Sequence, residues 1–294
     1  MRAARETGFA LLAGLPDTLP IGPDARARLL RIFTLGAAAR RRLCRRKFEP
    51  ANPNIYRGFF PLQPGNLTAK EGIDLGGDIA HGAAVTAFSD PLREPTPLPS
   101  DADLPGWRAT AAEYYLAMEQ IAGKLMHSLA RGLGLPDDYF DAAFRLGLST
   151  LRLIRYPPRT AATGQHLTGA PHTDSGFVTL LAQDGVAGLQ ARAQDGRWTD
   201  VPPLEGTLVV NFGQVLEQWS AGRIRATEHR VIGRGLERFS IPFFHEARAE
   251  AIIAPLPGDP PDLFAPFRYG DFLWKRITAF VEFRGIEAER AVTP

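Results

Sequence analysis

Between Leu151 and His245 the chain strings short β-type runs together with turn signals and shows no alternating helices. The runs are Leu151 to Tyr156, Phe177 to Leu181, Thr207 to Phe212, Ile224 to Ile232 and Phe239 to His245, with Asp195-Gly196 as a hairpin signal among them. Strands joined without helical crossovers pair antiparallel, and a set of them buries its apolar faces by closing into a barrel or jelly roll. The first half has a helical period instead. One helix is expected from Pro23-Asp24 through Arg46, with Leu29, Leu30, Phe33 and Leu43 as its apolar members. A longer one is expected from about Pro105 to Arg131, where Trp107, Ala111, Tyr114, Met118, Ile121, Leu125 and Leu129 recur on one face. Gly132 and Gly134 end it and Pro136 blocks its continuation. Asn52 to Pro99, rich in Gly, Pro, Asn and Asp, reads as extended, loop-like chain wrapped on other elements, and Asp271 to Phe283 as a closing amphipathic helix. The expected fold class is α+β in one domain: a mainly helical region over 1–146, a jelly-roll core over 147–250, and a C-terminal extension with a helix over 251–294.

Composition narrows the function. A chain of 294 residues, 45% of them hydrophobic, suffices for one large core. A net charge of +2, from 34 basic and 32 acidic residues, gives no electrostatic reason to expect nucleic acid or a membrane surface. The single cysteine, Cys44, excludes an intrachain disulfide and a Cys-based zinc site and fits a reducing compartment. Arg2 and Arg5 before Gly8 to Leu15 resemble a signal peptide only faintly, because Glu6 interrupts them and the apolar run is short. No apolar stretch is long enough to span a bilayer, so the expected location is cytoplasmic. The basic run Arg40, Arg41, Arg42, Arg45, Arg46 and Lys47 closes a helix, where cations favour the C-terminus, and is expected to be solvated.

Chemistry concentrates in three places. His172 and Asp174 are two residues apart in extended chain and point the same way, so one backbone segment can offer both to one ion. His229 follows in a strand-like run that a neighbouring strand can bring to the same ion. Two imidazoles and one carboxylate on one face of an octahedron leave the opposite face open, which is the arrangement of non-haem iron(II) oxygenases. An isolated His-x-Asp is more often a hydrogen-bonded pair, and a lone histidine more often structural. The third place changes this balance. Arg238 and Ser240 share one side of a strand whose other members are Phe239, Ile241 and Phe243. A guanidinium fork and a hydroxyl in apolar surroundings suit a carboxylate.

The order of these words is specific. Leu151-Arg152-Leu153-Ile154-Arg155-Tyr156-Pro157-Pro158 is followed by His172-Thr173-Asp174, Gly188-Leu189-Gln190, Trp198, Asn211-Phe212-Gly213, His229-Arg230-Val231 and Arg238-Phe239-Ser240. This sequence resembles the isopenicillin N synthase-like family of 2-oxoglutarate/iron(II) oxygenases over most of its length. Arg5 to Phe9 and Arg57-Gly58-Phe59 resemble that family's N-terminal helical region. The resemblance implies a double-stranded β-helix core, iron on His172, Asp174 and His229, and a 2-oxoglutarate carboxylate held by Arg238 and Ser240 with help from the Tyr156 hydroxyl. Tyr156 reads equally well as a core aromatic. Three departures stand out: the chain starts almost at a helix, without the family's leading strand, Ile154 replaces a frequent Asn, and Gln214 stands where Gly-Asp is usual.

The implied activity is oxidation, with hydroxylation as its commonest form, of a small-molecule substrate, with Fe(II), 2-oxoglutarate and O2 as cofactor and cosubstrates. Asn52 to Pro99, the Arg159 to Ala170 loop and the last helix are expected around the substrate, with His166 at the entrance and not a ligand. His81, His127 and His245 read as structural or surface residues. Two alternatives stay open. A cofactor-independent iron(II) oxidase or cyclase, like isopenicillin N synthase, would use Arg238 and Ser240 on its substrate's own carboxylate. A non-catalytic metal-binding barrel would keep the triad without turnover.

Overall fold

The computed structural model describes residues 1–63, 69–87, 89–158, 166–233 and 235–291, His166 in its backbone only. Of the loop expected over Arg159 to Ala170, residues 159–165 and the side chain of the entrance residue His166 therefore lie outside the described residues, and 166–170 are strand instead of loop.

Eleven strands build two facing antiparallel sheets, a jelly roll. They are β1 (Phe9–Leu12), β2 (Gly58–Phe60), β3 (Glu71–Leu75), β4 (Thr150–Tyr156), β5 (His166–His172), β6 (Val178–Gln183), β7 (Leu189–Arg192), β8 (Trp198–Asp200), β9 (Leu208–Phe212), β10 (His229–Gly233) and β11 (Arg238–His245). The larger sheet runs β1-β9-β6-β11-β4-β3-β2 and the smaller β5-β10-β7-β8. All five expected β runs contribute a strand, although residues 224–228 precede β10 instead of joining it. The Asp195-Gly196 hairpin links β7 to β8, with Gly196 at φ +85, a conformation that favours glycine.

Strand parity decides what faces the space between the sheets. On β4 the residues Thr150, Arg152, Ile154 and Tyr156 share one side, and on β11 Arg238, Ser240 and Phe244 share the matching side. The register sets Arg238 opposite Tyr156 and Ser240 opposite Ile154. Ile154, Tyr156, Leu181, Leu189, Val209 and Val231 form a buried apolar cluster drawn from both sheets. The opposite parity packs outward under the helix Trp107–Gly132. There Tyr115 stands edge-on to Phe243 at 5.0 Å and donates to Ser149 O at 3.1 Å.

Five expectations are corrected. The helix expected from Pro23 through Arg46 is broken into Pro23–Leu30, a 3-10 turn and Ala37–Leu43, because Leu35 and Gly36 adopt extended backbone. The stretch Asn52 to Pro99 contributes β2 and β3 to the larger sheet instead of merely wrapping it. A leading strand does exist: Phe9–Leu12 pairs with β9, so Phe9 opens a strand where helical region was expected. The basic run is a solvated helix end at Arg40 to Arg42 but not throughout, since Arg45, beyond the helix, is completely buried beside Asp74. The closing helix spans Tyr269–Ile277, shorter than expected. Among the described residues no helix is long and apolar enough to cross a membrane.

Candidate metal centre

β5 ends on His172 and β10 begins on His229, and the sheet register sets these two residues directly opposite each other. Their rings lie 4.3 Å apart. Asp174 follows β5 by two residues. Its loop is fixed from below, because Gln214 N donates to Asp174 O at 2.8 Å and Gly213 N to Phe177 O at 2.8 Å. Gly213 comes so close that a Cβ there would lie 2.3 Å from Gly176 O, which explains a glycine in the Asn-Phe-Gly word.

One carboxylate oxygen faces both imidazoles. Asp174 Oδ1 is 3.7 Å from His172 Nε2 and 3.7 Å from His229 Nε2. The other, Oδ2, is occupied by Thr179 Oγ1 at 2.5 Å and Asn211 Nδ2 at 2.7 Å, both donating. The histidines are oriented in the same manner. His172 Nδ1 donates to Ala170 O at 2.8 Å and His229 Nδ1 to Thr227 O at 3.2 Å. A ring whose Nδ1 carries the proton presents a bare Nε2 lone pair, and both Nε2 atoms turn toward Asp174. Phe9 packs edge-on against His229 with ring centroids 5.7 Å apart.

The protonation states suit a cation. Burial, and then the neighbouring His229, push His172 down to about 4, so it is neutral at neutral pH. Burial alone would raise the Asp174 carboxyl. The two histidines and the hydrogen bonds from Thr179 and Asn211 outweigh burial and hold it below the usual range. The three ligand atoms lie within 4.8 Å of one another. Neighbouring ligands on an octahedral ion with bonds of roughly 2.1 Å stand about 3 Å apart, so an ion needs only a small inward shift.

The site opens into a cavity of about 650 Å³ walled by Phe177, Phe244 and Phe280 and carrying Lys70, Arg152 and Glu246. Tyr56 and Lys70 come from the extended N-terminal stretch and Leu273 and Ile277 from the closing helix, so both regions line this cavity. Arg238 and Tyr156 lie away from these walls, beside a small recess that also includes Thr168, Val186 and Ile232. Arg238 is buried, its Cζ 5.0 Å from the Tyr156 ring centroid. Its Nε donates to Val186 O at 3.3 Å and its Nη2 to Gln183 Oε1 at 3.4 Å, both long, and among the described residues its buried Nη1 has no partner. Ser240 is buried on the same strand face. The remaining histidines match expectation: His81 pairs with Glu119, His127 with Asp141, and His245 stacks on Phe144 at 4.5 Å.

Five residues of the site escape sequence reasoning. Asn211 lies in the Asn-Phe-Gly word, which by itself gives it no role, and Thr179 is an ordinary strand threonine until Asp174 is placed beside it. Lys70, Arg152 and Glu246 line the cavity, Lys70 from a stretch expected near the substrate but with no role read for the residue itself. For Arg152 a signal existed, since it has the same strand parity as Tyr156 and therefore faces inward.

The profile of the 2OG-Fe(II) oxygenase superfamily matches residues 148–247. The chain is 31% identical over 254 residues to isopenicillin N synthase of Streptomyces clavuligerus, covering 80% of this chain and 74% of that one. It is 36% identical over 197 residues to a 2-oxoglutarate-Fe(II) type oxidoreductase of Emericella nidulans, covering 64% of this chain and 55% of that one. The structure of full-length Neurospora crassa T7H in complex with alpha-KG superposes with a TM-score of 0.81 over 95% of this chain and 88% of that one, at 24% identity, a likeness of fold.

Proposed function

Because the chain belongs to the 2OG-Fe(II) oxygenase superfamily, we propose that His172, Asp174 and His229 hold its iron(II), that Arg238, Ser240 and Tyr156 receive the distal carboxylate of 2-oxoglutarate, and that the 650 Å³ cavity takes the primary substrate. The enzyme is an iron- and 2-oxoglutarate-dependent oxidoreductase that uses O2. Bound iron(II) would activate O2, the oxidant, with 2-oxoglutarate as the co-reductant: one oxygen atom would go to the substrate and the other to succinate, with CO2 released.

The observation that carries the assignment is the convergence of Asp174 Oδ1 and two bare Nε2 atoms, with the other face of each group tied down. This is a donor set for a first-row divalent ion with open positions. The Arg238 guanidinium fits the cosubstrate by a second criterion. A buried cation with an unpartnered nitrogen is costly, and a carboxylate relieves it through charge-assisted hydrogen bonds. The aromatic walls around the metal centre position a small molecule and exclude water from the reacting atoms.

The test is an anaerobic iron(II) titration followed by exposure of the loaded protein to O2 and 2-oxoglutarate with a panel of small metabolites. Substrate-dependent succinate release, one per substrate oxidised, is the expected result. Oxidation without succinate would instead support the oxidase reading, with Arg238 on the substrate's own carboxylate. No iron binding, or binding unaffected by Asp174→Ala, would overturn the metal assignment.

A further inference from the structure

The basic run that ends the helix Ala37–Leu43 sends Arg45 inward, behind the wall of the substrate cavity. Its guanidinium lies between Phe283 and Phe60, 4.2 and 5.0 Å from their ring centroids, and pairs with the fully buried Asp74. Asp74 also accepts from Arg152, at 2.5 Å from Nε and 2.8 Å from Nη2. Next to them Lys70 Nζ pairs with Glu282 at 2.9 Å. Three cations thus share two carboxylates on one wall. Burial would raise the Glu282 carboxyl, yet Lys70 and then Arg152 hold it at about 2, as expected where positive charge is in excess.

Arg152 is the member of this group that reaches the cavity from the sheet. It lies on the inward face of β4 with its side chain 16% exposed, its Cζ 5.4 Å from the rings of both Phe60 and Phe244. Nε and Nη2 are committed to Asp74, and among the described residues Nη1 has no hydrogen-bond partner. Lys70, 20% exposed, lines the same cavity. Arg238, by contrast, pairs with Tyr156, four residues further along β4. At about 3.3 Å per residue this separates the two cationic positions by roughly 13 Å of strand. One short dicarboxylate at Arg238 therefore leaves Arg152 for a different anion.

We propose that the primary substrate carries an anionic group, a carboxylate in the simplest case, and that Arg152 with Lys70 receives it and sets which part of the molecule faces the metal centre. The proposal rests on the reading of this cavity as the substrate chamber. An anion there would balance the excess charge and take up the free edge of a guanidinium already held rigid by Asp74.

The experiment uses the full chain loaded with manganese(II) and saturating 2-oxoglutarate, titrated calorimetrically with 3-phenylpropionate and with its neutral amide. The phenyl group suits the Phe177, Phe244 and Phe280 walls. One charge-assisted bond of about 1.5 kcal/mol predicts that the acid binds at least about tenfold more tightly than the amide. Arg152→Gln should abolish that preference, Arg152→Lys should restore part of it, and 2-oxoglutarate affinity should stay at the wild-type value in both. Equal binding of acid and amide to the wild type, or no detectable binding of either, overturns the proposal, and this comparison needs no variant to fold. Loss of 2-oxoglutarate affinity in Arg152→Gln also overturns it, by moving Arg152 to the cosubstrate. Failure of manganese to bind at all would strike the metal-site reading and is seen before any probe is added.

Discussion

Replacing Arg238 by Ala tests the cosubstrate half of the assignment with a magnitude that follows from its surroundings. The guanidinium is buried, its two hydrogen bonds are long at 3.3 and 3.4 Å, and Nη1 has no partner among the described residues. Its desolvation has therefore already been met on folding, and a carboxylate gains nearly the full strength of its hydrogen bonds. A hydrogen bond to a charged group contributes about 1.5–3 kcal/mol. Losing one such bond sets a floor of about tenfold weaker 2-oxoglutarate binding, and losing two at about 1.5 kcal/mol each gives about a hundredfold. Arg238→Lys should recover only part, because an ammonium cannot form the planar fork. The assay is an anaerobic 2-oxoglutarate titration of the iron-loaded protein, followed through the metal-to-ligand absorption band. Iron affinity should be unchanged. Thermal stability gives an independent readout. Without 2-oxoglutarate the variant should be about as stable as the wild type, because the residue removed was incompletely paired. At a concentration a hundredfold above its Kd, 2-oxoglutarate should stabilise the wild type by about 2.7 kcal/mol and the variant far less at the same concentration. A variant that binds 2-oxoglutarate within threefold of wild type would refute the clamp and with it the argument from the unpartnered nitrogen.

Two further outcomes are expected. Asn211→Ala frees one of the two bonds on Asp174 Oδ2 and should weaken iron binding by roughly 10–100-fold in a competition titration against a chelator, with little effect on 2-oxoglutarate affinity once iron is saturating. Glu246, accepting from the Tyr269 hydroxyl, is pushed up to about 8, chiefly by burial. Because its folded value lies above its ordinary 4.5, the metal-free protein should hold this contribution fully below about pH 4.5 and lose it as pH rises toward 8. Glu246→Gln should flatten that part of the urea midpoint against pH, and an unchanged profile would show that the carboxyl ionises freely in the fold.

What the sequence made legible, and what it hid, follows from the range over which each feature is decided. The strands β4, β6, β9 and β11 were visible because both faces are covered, one by the inner cluster and one by the outer core, so their apolar runs are nearly continuous. β5 reads His-Leu-Thr-Gly-Ala-Pro-His, whose Gly and Pro argue against a strand, and it is held by its pairing with β10. β2 and β3 were hidden for a similar reason, being short and glycine-bearing and recruited by β4 at the end of the sheet. The convergence of His172, Asp174 and His229 was legible because side-chain parity is local, and the remaining step, bringing His229 opposite His172, needed only adjacent strands. Charge was misread where its partner is distant. Arg45 looked like part of a solvated helix end, and its burial depends on Asp74, 29 residues away, and on Phe283 at the other end of the chain. Arg155 and Arg152 are three residues apart on one strand with similar local sequence. Yet opposite parity sends Arg155 to Glu71 and Glu237 on the outer side and Arg152 to Asp74 beside the cavity. Parity is a property of sequence spacing alone, whereas the partner that makes an inward charge tolerable is set by the tertiary fold. A charged residue on the inward parity of a barrel strand is therefore the place where a sequence should be read for a ligand, and Arg238 and Arg152 are the two such residues on β4 and β11.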